Sequence, residues 1–493
     1  MVVIKHLTGS RMSGAAEVRR TGAAATRRRA RATPGRITVS SHVVDMLTIG
    51  NSFSTAEMRD VWSEESRLRR QLDVEAALAA AEGELGVIPR EAADAIVGAA
   101  AGDFDLAAIA AEGTKAMHSL NATVSALQAA AGEHGEWVHY GVTTQDVVDT
   151  GTVLQIREAV AILRRDLIAL GGALRDLTAR HRDTPMVART HYVQALPTTF
   201  GFKTAIWLDE VLRHLERLET ATEQVLTGNI NGAVGTYASF EGRGREIERT
   251  ALARLGLAAP RIGWQAARDR IGAYTSTLAL ISTTLGKIAT ELSTLMHSEI
   301  GEVEEPFTAG KIGSTTMPHK RNPALLEGAA ALTAPIKHAA ALVLDGAATV
   351  HERDAISWRA EWIALPEIHL YLASQLRTLG GILSGLVVHE DAMRRNLELQ
   401  GGLILSEKAM FEIGRELGKQ TAHHIVYDAS MRAVEEGRHL ADVLAADERV
   451  AARFDAATIR SWLEATAYLG ETGAAIDEVL AAADAALPSR SAS

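Results

Sequence analysis

Apolar side chains recur three and four residues apart through the middle of the chain. Val153, Ile156, Val160, Leu163, Leu167, Leu170, Leu174 and Leu177 share one stripe of a helix, with charged residues between them. Leu208, Val211, Leu215, Leu218 and Val225 continue the pattern in a second segment, and Leu278, Ile281, Leu285, Ile288, Leu292 and Leu295 in a third. Stripes this long bury fully only against helices of similar length. The spacing therefore predicts an all-α chain around a long-helix bundle that recruits neighbouring subunits, with an intramolecular bundle in a monomer as the alternative. After about Val388 the pattern shortens. The expected division is a tail over 1–45, an N-terminal helical domain over 46–152, the central bundle over 153–387 and a small C-terminal helical domain over 388–493.

Composition agrees with helices: Ala and Leu are frequent, while aromatic residues make up 4% and proline only 11 of 493 residues. No cysteine is present, which excludes disulfides, thiolate metal sites and cysteine nucleophiles. A formal net charge of −10 gives no reason to expect nucleic acid on the folded body. The tail differs. Arg19, Arg20, Arg27, Arg28, Arg29, Arg31 and Arg36 stand among Ala, Thr, Ser and Gly, as in a transit peptide or a nucleic-acid arm, but no sustained amphipathic pattern supports either. Met12 and Met46 are alternative initiators. No apolar run is long enough to span a bilayer, and a cytoplasmic location is expected.

Three segments interrupt the helical pattern: Gly135 to Asp149, Thr184 to Phe200 and Gly301 to Pro323, all rich in Gly, Pro, Thr and His. They read as loops at helix ends, where binding groups gather. The third is the most informative. Gly310 and Gly313 flank a lysine, followed by Ser314, Thr315 and Thr316, a proline, and Lys320, Arg321 and Asn322. Backbone N–H groups, hydroxyls and an ammonium together suit a small anion such as a carboxylate or phosphate. Neither the phosphate-loop spacing nor a dinucleotide glycine pattern is present here; His118, His139 and His191 lie in separate segments without the spacing of a zinc site, His351 and Glu352 being the alternative, and no cofactor or metal is implied.

GSTTMPHKRNP in this segment resembles the GSSxMPxKxNP signature of the fumarase/aspartase superfamily. HYGVTTQDVVDT, from His139 to Thr150, and ARTHYVQALPTTFGFK, from Ala188 to Lys203, are similar to the corresponding segments of its adenylosuccinate lyases. The resemblance covers roughly residues 48 to 488. It implies a three-domain all-α fold, a homotetramer with a shared helical core, and sites built from three chains. It also implies roles. Ser314 would be the general base on a mobile loop, and His191 the general acid, oriented by Glu327. Lys320 and Asn322 would hold a substrate carboxylate. Thr143, Thr144, Gln145, Thr190 and Thr315 would contact the substrate, and His118, His139 and Arg353 would complete the site.

The departures concern the substrate. An Arg-Tyr pair with which adenylosuccinate lyases grip the nucleotide phosphate falls on Ser52 and Phe53, and a later Ser and Arg fall on Trp358 and Trp362. Losing two guanidinium groups removes bidentate phosphate binding, so a smaller substrate is expected. HERDAISWRAEW and AYLGETGAAIDEVL look instead like 3-carboxy-cis,cis-muconate cycloisomerase, although many bacterial cycloisomerases carry Trp where this chain has His191. The expectation is a carbon–nitrogen lyase acting on a small nitrogen-substituted succinate, nitrosuccinate being one possibility, that releases fumarate. Cycloisomerase, adenylosuccinate lyase and a non-catalytic structural or nucleic-acid-binding oligomer are the alternatives.

Overall fold

The computed structural model describes residues 41–307, 316–317 and 319–488, with only the backbone at Ser119. Of the tail expected over 1–45, residues 1–40 lie outside the described residues, as do Ser314 and Thr315, while Val43–Asp45 form a short 3-10 helix that buries Val44. The described chain is mostly helical, with two short two-stranded antiparallel sheets. Four long helices, Thr144–Arg180, Phe200–Val225, Asp269–Leu295 and Ile356–Gly385, form the bundle, flanked by Glu64–Glu84 and Thr333–Gly346. Every position of the first and third stripes is buried, and in the second only Leu215 is partly exposed. Each such Leu or Ile stabilises the fold by roughly 1.5–3 kcal/mol, which makes the stripes the main cohesive force.

The first bundle helix starts at Thr144, inside the expected N-terminal domain. Thr143 and Asp146 form a capping box there, so the helix begins where its first amides find partners. The apolar core follows suit: Leu72, Leu78, Ile96 and Leu127 belong to the same buried cluster as Leu163 and Leu285. A second cluster, from Leu397 to Leu463, forms the core of the C-terminal unit and takes in Val187. That unit ends before the last helix, Thr472–Ala486, which returns to pack on helices 200–225 and 144–180. Ala483 and Leu487 join the main core, and Asp477 accepts two hydrogen bonds from Arg182, at 2.8 and 2.7 Å.

The segment from Thr184 to Phe200, expected as a loop, is a hairpin of strands Pro185–Thr190 and Val193–Thr199. Its two prolines argue against a strand in sequence. In a two-stranded ribbon each strand has a free edge, so a missing N–H costs no ladder bond.

Buried charge ties the bundle together. Arg268, 2% exposed, donates to Asp149 at 2.7 and 3.1 Å and to Glu361 at 2.8 Å, joining helices 144–180, 269–295 and 356–385. Glu82 on helix 64–84 is different: both carboxylate oxygens are buried without a hydrogen-bond partner among the described residues. Burial, helped by the nearby Glu75 charge, pushes its pKa up to about 9. The folded state therefore keeps a proton that the unfolded chain loses above its ordinary carboxyl value of 4.5, and stability should fall as pH rises from there towards 9. Glu82→Gln should flatten this slope, which urea midpoints at about pH 5 and about pH 8 would measure. An unchanged slope would mean that Glu82 is ionised in the folded protein.

Candidate active site

Helices 64–84, Leu106–Ala116, Ser119–Ala130, 144–180 and 356–385 enclose a cleft of about 560 Å³. His118 and Thr144 line it. His118 caps helix 119–130: its Nδ1 accepts the Asn121 amide at 3.1 Å, so in the neutral ring the proton sits on Nε2. That Nε2 lies 3.4 Å from Thr144 Oγ1 at the start of helix 144–180. Opposite stand Trp358 and Trp362, stacked at 5.7 Å with planes 19° apart. Trp358 is held in place by donating to Asp149 at 2.9 Å, which links the cleft wall to the Arg268 network.

His139 has a left-handed backbone (φ 62°) and its Nδ1 lies 2.6 Å from Glu75 Oε1 on helix 64–84. Burial works against charge on this ring, but the Glu75 carboxylate outweighs it and raises the pKa. Thr143 is committed to the capping box. Gln145 lies behind the cleft rather than on its wall. It is buried, and its amide nitrogen donates to Asp149 and to the Gln265 carbonyl, while its Oε1 has no partner among the described residues. Arg353 sits half-buried just before helix 356–385.

Thr190 and His191 are elsewhere, at the tip of the hairpin. Thr190 pairs with Val193, leaving His191 and Tyr192 as a two-residue turn with φ of 51° and 67°. Such turns favour Asn and Gly, so two bulky residues here store strain. Tyr192 is 100% exposed. The hairpin stem, by contrast, is fixed: Arg189 donates to buried Glu302 at 3.0 and 2.7 Å, and Asn396 donates to the same carboxylate at 2.7 Å.

A third region holds Lys320, Asn322 and Glu327. Glu305 accepts the amides of Leu325 and Leu326, at 2.9 and 2.8 Å, at the start of helix Ala324–Ala331. Arg321 pairs with Glu304 and lies 4.9 Å over Phe307. The described residues on both sides of the signature segment are thus tied to each other. Lys320 and Glu327 are exposed and Asn322 is half-buried.

Neither the hairpin nor the third region reaches the cleft within the chain. Helix 144–180 is 37 residues long, so Thr144 and the foot of the hairpin are about 55 Å apart, and a six-residue strand spans only about 20 Å. Among the described residues, none from the hairpin or from 319–327 lines the cleft. Nor do three His, Asp or Glu side chains converge there as a metal site.

The comparisons match this architecture. A family model described as Lyase matches residues 51–335, and one described as the adenylosuccinate lyase C-terminus matches residues 402–479. The chain is a member of the fumarase/aspartase superfamily. An N-acetyl-S-(2-succino)cysteine lyase of Dickeya dadantii is 56% identical to this lyase over 90% of the chain and 98% of the relative. A 3-carboxy-cis,cis-muconate cycloisomerase of Pseudomonas aeruginosa is 40% identical over 87% and 95%. The crystal structure of a fumarate lyase from Mesorhizobium sp. BNC1 superposes with a TM-score of 0.83 at 37% identity, covering 87% of the lyase and 98% of that chain. No helix among the described residues is long and apolar enough to cross a membrane. Sequence reasoning did not single out Arg67 and Gln71, which line the cleft from helix 64–84. Nor did it find Glu75, the partner of His139.

Proposed function

We propose that this lyase eliminates a thiol from an S-(2-succinyl) thioether of the N-acetyl-S-(2-succino)cysteine type and releases fumarate. Similarity at 56% across nearly the whole length of the Dickeya dadantii enzyme, against 40% for the cycloisomerase, carries the reading. The cleft supports it, because a paired indole wall suits a weakly polar sulfur and acyl group better than a phosphate. Ser314 removes the proton from the carbon beside a succinyl carboxylate, and the electron pair is held as the aci-carboxylate by Lys320 and Asn322. The C–S bond then breaks with its electrons on sulfur, and His191, oriented by Glu327, supplies the proton. Thr143, Thr144, Thr190 and Thr315 hold the succinyl end beside His118 and His139, and Arg353 closes the site. Gln145 supports that wall from behind.

The working form is a homotetramer in which the cleft of one chain, the hairpin tip of a second and the signature segment of a third meet. The roughly 55 Å between the cleft and the foot of the hairpin supports a hairpin supplied by another chain, and light scattering should return about four times the chain mass. The carbon–nitrogen reading is the second one, favoured for amine leaving groups by the exposed His191 tip; nitrite, expelled from nitrosuccinate, needs no proton to depart. An amine needs a proton to depart, whereas a thiol, with a pKa of about 8.5, leaves readily without one. Purified protein offered N-acetyl-S-(2-succino)cysteine, nitrosuccinate, adenylosuccinate and 3-carboxy-cis,cis-muconate separately should yield fumarate fastest from the first. Faster release from a nitrogen-substituted succinate would overturn the thioether reading.

A further inference from the structure

The cleft contains a cation that the reaction scheme does not use. Arg67 lies on the first turn of helix 64–84, its guanidinium carbon 4.9 Å from the centroid of Trp362. Its Nη2 is buried without a hydrogen-bond partner among the described residues. The next arginines on the helix are engaged differently: Arg69 and Arg70 both pair with Asp73, at 3.1 and 2.6 Å. Gln71, one turn beyond Arg67, extends the same wall of the cleft. Burial draws the Arg67 pKa below the ordinary guanidinium value, with Glu64 at the mouth opposing the shift. A buried donor left unpaired is costly, and a carboxylate presented in the plane of the guanidinium would satisfy it.

The position indicates which carboxylate. Arg67 lies against Trp362 on the indole side of the cleft, opposite His118 and Thr144, which are assigned above to the succinyl end. The cleft, at about 560 Å³, also has more room than a four-carbon diacid needs.

We propose that Arg67 forms a subsite for the carboxylate of the departing group, so that the enzyme selects thiols derived from N-acylated amino acids, whose amide lies against Trp358 and Trp362. This rests on the thioether reading above. The cation that recognises the leaving group then comes from helix 64–84, lying against the Trp362 indole and not at position 362 itself.

The test compares N-acetyl-S-(2-succino)cysteine with its decarboxylated counterpart, N-acetyl-S-(2-succino)cysteamine. Wild-type kcat/KM should favour the acid by about 10- to 100-fold, and Arg67→Met should collapse that ratio towards one, mainly through KM. Arg67→Lys keeps the charge and most of the stem, guards against misfolding, and should restore part of the ratio. A ratio equal in wild type and Arg67→Met overturns the subsite while leaving the thioether reading intact. If wild type cleaves neither compound, the thioether reading fails. Calorimetric binding of N-acetylcysteine to wild type and to Arg67→Met then decides the subsite: weaker binding in the variant upholds it, and equal or no binding in both refutes it.

Discussion

Arg268→Met should lower the free energy of unfolding by about 3–5 kcal/mol, more than any surface charge substitution in this chain. The side chain is almost fully buried, donates to two carboxylates on different helices, and lies 4.8 Å over the Trp264 ring. Methionine would fill much of the volume but leave Asp149 and Glu361 buried side by side without their counter-charge. The triple substitution R268M/D149N/E361Q removes all three charges and should recover most of the loss, because the penalty comes from the unpaired anions. Urea denaturation at fixed protein concentration measures both variants, with Arg213→Met, at an exposed pair with Asp209, as the reference. A midpoint for Arg268→Met no lower than that of Arg213→Met would show that the network bears no load. Because Asp149 also anchors Trp358, partial unfolding here should weaken the cleft before it melts the bundle.

Ser314→Ala should reduce kcat by about 10²- to 10⁴-fold with the assembly unchanged, the range expected when a general base is removed. The residue lies outside the described part of the chain, so the expectation comes from the signature and from the residues beside it. Arg321, Glu304 and Phe307 hold the described flanks together, and Glu305 fixes the helix that follows. A missing hydroxyl should leave these contacts untouched, so light scattering and melting temperature should match wild type while fumarate release disappears. Turnover within about threefold of wild type would remove Ser314 from the mechanism.

The bundle was legible because one-sided burial repeats along each helix, and the structure buries nearly every position that this repeat selects. The hairpin was not. Pro185 and Pro197 mask its alternation, and only the missing neighbour on each strand's outer edge makes them acceptable. The candidate histidines were singled out through motif context alone, since nothing in local spacing separates His118 from a surface histidine. Gln145 falls within a recognised motif, yet helical phase turns it inward with Asp146 and Asp149. Arg67 was hidden for a related reason. In SRLRRQLD Arg69 and Arg70 reach Asp73 four and three residues on within their own helix, and tertiary packing sets Arg67 against Trp362.

The last helix makes the C-terminal unit an excursion anchored at both ends. The chain leaves the bundle after Gly385, builds a separate small core, and comes back through Thr472–Ala486 to place Leu487 among bundle side chains. A deletion starting at Thr472 would therefore injure the distant bundle, by stripping helix 200–225 of its cover, rather than the unit beside the cut. For anyone attaching a reporter or an affinity handle, the sheltered join is the one to avoid.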